Sequence, residues 1–368
     1  VSLAELALDR RICICVGAGG VGKTTTSAAI ALGLAARGRR VALVTIDPSR
    51  RLAGALALDE LGNEPQALSA EHLAPTGIKL SGEVCAMVLD PKRTFDELIE
   101  RLAPDRRTRD RVLANHIYRE ISGAVGGSHE FTAVAKLYEL DRSGAYDAIV
   151  LDTPPSRNTL DFVRAPERLM QFFDAPGLRL LLAPAGPAAR FAQRAGGLAP
   201  IRRLIGVDLL SEIALFFAAV GGLIAGFRAQ ASAVEALLRD PGTTFVLVST
   251  PEREPVRETI EFAGQLRDAG LPVGAVIVNR CHDETPGDSE ELTGALSAPL
   301  GERLATIVGA SALRAQRLAE RDQGALARLA AELAGVPQTR VPLLRSSPGE
   351  LETLGAMTRE LFAEPGAE

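Results

Sequence analysis

The 368-residue sequence predicts a doubly wound α/β fold: a mostly parallel sheet with helices on both faces and a helical subdomain inserted. Three observations lead there. Short, continuously apolar runs alternate with helical patterns, as expected of strands buried on both faces of a parallel sheet. The first run passes directly into a glycine-rich turn that opens a helix. Helix-start signals, Asp90-Pro91, Thr250-Pro251 and Ser347-Pro348, sit where later runs end, each pairing a capping side chain with proline at the first helical position.

In chain order, the predicted strands are Ile12–Val16, Val41–Ile46, Val84–Leu89, Ala148–Leu151, Thr244–Val248, Val273–Val278 and Thr339–Leu343. The first helix runs from Lys23 to about Ala36 and stops at Gly38. Glu350 completes a capping box with Ser347. Two stretches break the alternation. Residues 91–141 and 160–239 hold no convincing strand, are rich in apolar residues, and read as one helical subdomain within a single domain spanning 1–368. Core packing and an exposed apolar groove both remain open for it. Ile213–Phe227 is uncharged but short of the roughly 20 residues a membrane span requires, so a buried helix is expected.

Composition excludes several function classes. A net charge of −5 leaves no basic face for nucleic acid. The four cysteines form no zinc pattern. Cys13, Cys15 and Cys85 read as small buried hydrophobes, with Cys281 just after a strand, and reduced thiols in a cytoplasmic protein are the simplest reading. Val1 to Arg10 lacks a basic segment followed by an apolar one, so no leader is expected.

The turn itself is Gly17-Ala18-Gly19-Gly20-Val21-Gly22-Lys23-Thr24-Thr25. A strand ending in such a turn aims successive N–H groups and the positive end of a helix dipole at one point, which binds phosphate. The spacing is that of a P-loop, in which the lysine reaches the β- and γ-phosphates and the hydroxyl joins a Mg²⁺ shell. Hydrolysis requires further groups from neighbouring strand tips. Asp152 follows an apolar strand as a metal-organising acid does, and Asp47 ends the second strand before Pro48. Strand carboxyl ends are where open α/β sheets bind ligands, so both should face the phosphates, although a helix cap and an Asp-Pro turn also fit them.

These residues also carry a family resemblance. Asp152-Thr153-Pro154-Pro155-Ser156-Arg157-Asn158-Thr159-Leu160 resembles the switch II segment of the arsenite-pump and guided-entry tail-anchored-protein-targeting ATPases, whose pattern is Asp-Thr-Ala-Pro-Thr-Gly-His-Thr-Leu. Together with the P-loop and the Asp47-Pro48 switch I segment, the likeness covers nearly the whole chain and is that of a bacterial member of the deviant Walker A class. It implies an ATPase using ATP and Mg²⁺. Gly19, Gly20, Val21 and Gly22 would cradle phosphate, Lys23 contact the β- and γ-phosphates, Thr24 ligate Mg²⁺, and Thr25 bond the α-phosphate. Asp47 would orient the attacking water, and Asp152 would hold Mg²⁺ through water. Asn279 is similar to the family's adenine-reading asparagine, and Pro342-Leu343 to the segment covering the base; a strand-terminating turn also explains Asn279.

There are two departures from the family pattern. Ala18 stands where the family carries a lysine that reaches across a dimer. Slow turnover, a substitute such as Arg50 or Arg51, or pairing with a lysine-bearing paralogue are the three readings, and Arg50 and Arg51 also fit as solvated charges. The zinc-binding Cys-x-x-Cys pair is also missing. The resemblance further implies a homodimer or such a heterodimer, and a membrane-protein client or membrane partner for the helical subdomain. A nucleotide-gated binding subunit with little turnover of its own is the second reading, and a partition-type ATPase the third.

Overall fold

In the computed structural model, residues 3–47, 49–115, 118, 128–154, 164, 167, 171, 221, 223–283, 289–344 and 349–363 are described. The chain divides into two compact units, one comprising 1–88, 144–159 and 239–368, the other 89–143 and 160–238.

The first unit begins with α1 (Leu3–Asp9), β1 (Ile12–Gly17), α2 (Lys23–Ala36), β2 (Arg40–Thr45), α3 (Arg51–Ala55), β3 (Gln66–Ala67), α4 (Ala70–Leu73) and β4 (Glu83–Val88). The second unit supplies α5 (Pro91–Leu102), α6 (Arg106–Leu113) and α7 (Ser128–Ser143), then, after β5 (Ala148–Asp152) of the first, α8 (Ile224–Arg239). The first unit closes with β6 (Thr243–Ser249), α9 (Arg253–Asp268), β7 (Val273–Cys281), α10 (Ser289–Leu300), α11 (Glu302–Glu332), β8 (Gln338–Pro342) and α12 (Glu350–Phe362).

The eight strands form one sheet in the order β3-β4-β2-β5-β1-β6-β7-β8, parallel throughout except for β3. All seven apolar runs are strands. The two exposed residues of β3 carry no periodicity that could have announced them. Because β5 lies between β2 and β1, the tips carrying Thr45, Asp152 and the P-loop emerge side by side.

Alternation along the strands sorts the core. Cys13, Cys15, Val41, Leu43, Val84 and Val150 share one buried cluster with α2 and α12, while α9 lies against β1 and β6. Burial pushes the Cys13 thiol up to about 12 and Cys15 higher still, so both are inert. Cys85 departs from expectation: it is half-buried, and its thiol donates to Glu83. Cys281 is the last residue of β7 rather than a residue beyond it.

Helix starts follow the sequence unevenly. Asp90 caps α5 as expected, accepting the Arg93 N–H at 2.9 Å. Thr250 does not cap the helix: the chain bends through Pro251 and Glu252, Glu252 takes the N-cap position, and α9 begins at Arg253. At α12 the N-cap is Gly349, and the Ser347-Pro348 signal lies outside the described residues.

In the second unit, Leu98, Ile99, Val112, Tyr118, Phe131 and Phe227 form a separate core, with Phe95 stacked on Phe227 at a centroid distance of 5.8 Å. Of the apolar stretch 213–227, Leu223 and Phe227 are buried there, and most of the rest lies outside the described residues. Among the described residues no helix is long and apolar enough to cross a membrane.

Candidate functional site

The turn after β1 is held by close approaches that exclude side chains. Gly22 has φ +92° and stands at the N-cap of α2, where a Cβ would lie 2.4 Å from the Asn279 amide nitrogen. Gly17 packs so tightly that a Cβ would lie 2.1 Å from the Val248 carbonyl oxygen. With glycine at the N-cap, no side chain covers the first N–H groups of α2, which stay open to an anion.

Lys23 lies almost wholly inside. Its ammonium donates to the carbonyls of Gly17 at 2.9 Å and Ala18 at 2.6 Å. Burial lowers its pKa, and the carboxylate of Asp152 opposes that fall. Asp152 is fully buried at the tip of β5. One carboxylate oxygen, Oδ2, accepts from both the Thr24 hydroxyl at 2.8 Å and the Thr45 hydroxyl at 2.9 Å. The other, Oδ1, has no hydrogen-bond partner. Burial pushes the Asp152 carboxyl up to about 6, against the pull of the two hydroxyls and Lys23. A bare buried acceptor of this kind costs about 1–3 kcal/mol, a deficit that a cation with its water shell removes. The donor set, one carboxylate oxygen and one hydroxyl beside open N–H groups, therefore fits a hard Mg²⁺ ion bound with phosphate.

Asp47 follows β2 by two residues and is half-buried. Its N–H donates to the Thr45 hydroxyl at 3.2 Å, its Oδ1 accepts from the Ser49 N–H at 2.9 Å, and its Oδ2 meets the Arg51 guanidinium at 3.4 Å. Thr45 thus links the two acids of neighbouring strands through one buried hydroxyl. Sequence reading passed over it, although a lone hydroxyl ending an otherwise aliphatic strand two residues before Asp47 was a usable signal.

A cavity of about 880 Å³ joins Gly20, Gly22, Lys23, Thr24, Thr25 and Asp47 to Arg50, Arg51, Thr153 and Arg280, with Gly54, Glu350 and Thr353 also on its wall. The residues expected around the phosphates therefore come together. Gly19 is exposed on the turn, and Val21 is buried beneath it.

The other expected contacts stand apart from this wall. Asn279 is buried, its amide donating to the Val21 carbonyl at 3.0 Å and its Oδ1 accepting from the Arg280 N–H at 2.9 Å. It stands in a β-bulge: Val278 pairs Arg340 and Cys281 pairs Pro342, one residue more on β7 than on β8. Arg280 takes the slack at φ +59° and turns into the cavity. Beyond the bulge, Asp322 of α11 accepts from both the backbone N–H and the ring of His282. Pro342 ends β8, and Leu343 is 48% exposed, its N–H bonded to the Cys281 carbonyl at 2.7 Å. Ala18 borders a separate hollow of about 460 Å³ with Glu254, Arg257 and Glu258. The remainder of the switch II likeness, 155–160, lies outside the described residues.

Comparison with known proteins agrees with this geometry. The family model described as anion-transporting ATPase matches residues 10–180 and 222–297. ATPase GET3 of Malassezia globosa is 28% identical over 284 residues, covering 75% of this chain and 74% of that protein. ATPase get3 of Neurospora crassa is 25% identical over 279 residues, 75% of each. ATPase BagA of Mycobacterium tuberculosis is 28% identical over 279 residues, 73% of this chain and 65% of its own length. On the matched span, with a P-loop, two strand-tip acids and a shared cavity in place, the chain belongs to the anion-transporting ATPase family.

Proposed function

We propose that this ATPase is an Mg²⁺-dependent switch protein whose nucleotide cycle closes and opens a dimer. The observation that carries the reading is the meeting of Lys23, Thr24 and Asp47 on one cavity wall, with buried Asp152 bonded to Thr24 behind it. In it, the N–H groups of Gly19 to Gly22 and the Lys23 ammonium hold the β- and γ-phosphates, and Thr25 bonds the α-phosphate. Thr24 and, through water, Asp152 hold Mg²⁺, which when bound neutralises phosphate charge. Asp47 orients the attacking water. Asn279, Pro342 and Leu343 form the adenine end.

The stretches 91–141 and 160–239 act as one helical subdomain within the single domain. By the family resemblance, that subdomain takes a membrane-protein client or membrane partner in the cytoplasm. Lys23→Ala should weaken Mg-ATP binding at least about 100-fold, since both a charge and the turn's internal ties are lost. Titration with a fluorescent ATP analogue checks this, and unchanged binding removes the site assignment.

Ala18 favours a second reading, a binding subunit with little turnover alone that a lysine-bearing paralogue completes. Robust hydrolysis by the pure chain, with a homodimer mass, disposes of it. A rise in turnover only on adding such a paralogue supports it.

A further inference from the structure

We infer that Arg51, placed one turn of chain from Asp47, supplies in cis the cation that meets transition-state charge on the γ-phosphate, the charge that Ala18 cannot provide. The inference rests on the nucleotide-site reading above and adds a catalytic residue to it.

Two observations single Arg51 out among the arginines on the cavity wall. Its guanidinium is tied to the Oδ2 of Asp47, which lines the same wall, whereas Arg50 and Arg280 line it without an ion pair to Asp47 among the described residues. Finally, Ala18 lies on a different hollow, leaving this part of the wall without any contribution from the position where the family carries lysine.

The state of the Asp47–Arg51 pair matters. It is a single contact of 3.4 Å with the guanidinium 59% exposed, and such pairs are weak. Exchanging it for a planar, two-pronged contact with phosphate oxygens is therefore favourable, and arginine matches that geometry where lysine does not. The exchange also frees Asp47 to accept a hydrogen bond from water. In the step served, the water oxygen bonds to the γ-phosphorus while the bond from that phosphorus to the β–γ bridging oxygen breaks. ADP keeps the bridging oxygen and its electron pair, and inorganic phosphate and a proton leave. Negative charge grows on the γ-phosphoryl oxygens and the bridging oxygen as this happens, and a guanidinium there is worth about 10³–10⁵ in rate in related nucleotide hydrolases.

The test compares Mg-ADP with Mg-ADP plus aluminium fluoride, a planar or octahedral mimic of the transferring group. Wild type, Arg51→Ala, Arg51→Lys and Lys23→Ala are titrated by calorimetry. Arg51→Ala is expected to bind Mg-ADP within about threefold of wild type while losing at least about 100-fold in the fluoroaluminate complex. Arg51→Lys should recover only part of that loss, and free guanidinium added to Arg51→Ala should restore some of it. Equal fluoroaluminate affinity in wild type and Arg51→Ala overturns the proposal, as does equal loss of both ligands, which would make Arg51 a ground-state binding residue. Failure of the site reading looks different: Lys23→Ala would then bind Mg-ADP as wild type does, whatever Arg51→Ala shows.

Discussion

Two groups of residues around the cavity are built on opposite plans. Around the P-loop the groups are buried and cross-tied: Lys23 on two carbonyls, and Thr24 and Thr45 on one oxygen of Asp152. The rest of the wall includes Arg280, the outer residue of a bulge, and Glu350 and Thr353 of the first turn of α12, while Leu343, off the wall, is exposed. Phosphoryl chemistry depends on charges held to within a fraction of an ångström before substrate arrives. A flat base, by contrast, tolerates a wall that forms around it. On the function proposed above, rigidity therefore sits where charge would move, and adaptability where shape would be read.

The sharpest way to break this contrast is Thr45→Val, which keeps shape and deletes the shared hydroxyl. It removes a donor from Asp152 and strands the Asp47 N–H at a cost of about 1–3 kcal/mol. Turnover should fall about 100-fold, with a lowered melting temperature in nucleotide-free protein and substantial rescue by Thr45→Ser. A wild-type rate in Thr45→Val would mean the cross-tie is ornamental. Asn279→Ala probes the proposed adenine contact, a buried residue tied to the turn. It severs the Val21 tie and the bond to Arg280, and should weaken ATP about tenfold with turnover at saturation nearly unchanged, one neutral hydrogen bond being worth about 1 kcal/mol. Calorimetric titration and saturation kinetics together test this. A loss confined to turnover would remove that assignment.

The smallest effect belongs to the other, amino-terminal end of the strands β2 and β5. Asp147 takes hydrogen bonds from the backbone and guanidinium of Arg40, which hold its carboxyl down to about 2. A depressed carboxyl stabilises the fold above its ordinary value near 4 and loses that contribution as pH falls toward 2. Denaturant midpoints of wild type and Asp147→Asn should therefore differ slightly at pH 5, draw together as pH falls through 4, and converge only below about pH 2. The pair is exposed, so the gap is small.

Legibility in the sequence follows the same contrast. The P-loop was readable because it is a local pattern: nine consecutive residues contain the strand tip, the turn and the helix start. Asp47 and Asp152 were readable as carboxylates at strand tips, and their approach follows from β2 and β5 being neighbours, which the alternation of elements implies but does not order. Thr45 was visible as a lone hydroxyl at that strand end, but its bond to Asp152 follows only from the strand order. Asn279 was readable as a residue type at a strand end, but its commitment to Val21 arises from a bulge set by pairing with β8, some sixty residues away. The displaced start of α9 was equally hidden. Thr250 is buried just after β6, and the chain bends over two further residues before the helix begins.

The bond from Asn279 to the Val21 carbonyl has a thermodynamic corollary. Since the bare backbone of Gly22 lets β7 press on the turn, a base held against Asn279 as proposed above would also stiffen the proposed phosphate loop. The free energies of the two halves of a nucleotide are then coupled rather than additive. Tripolyphosphate, lacking nucleoside, should bind more weakly than subtraction of the base and sugar contacts would suggest.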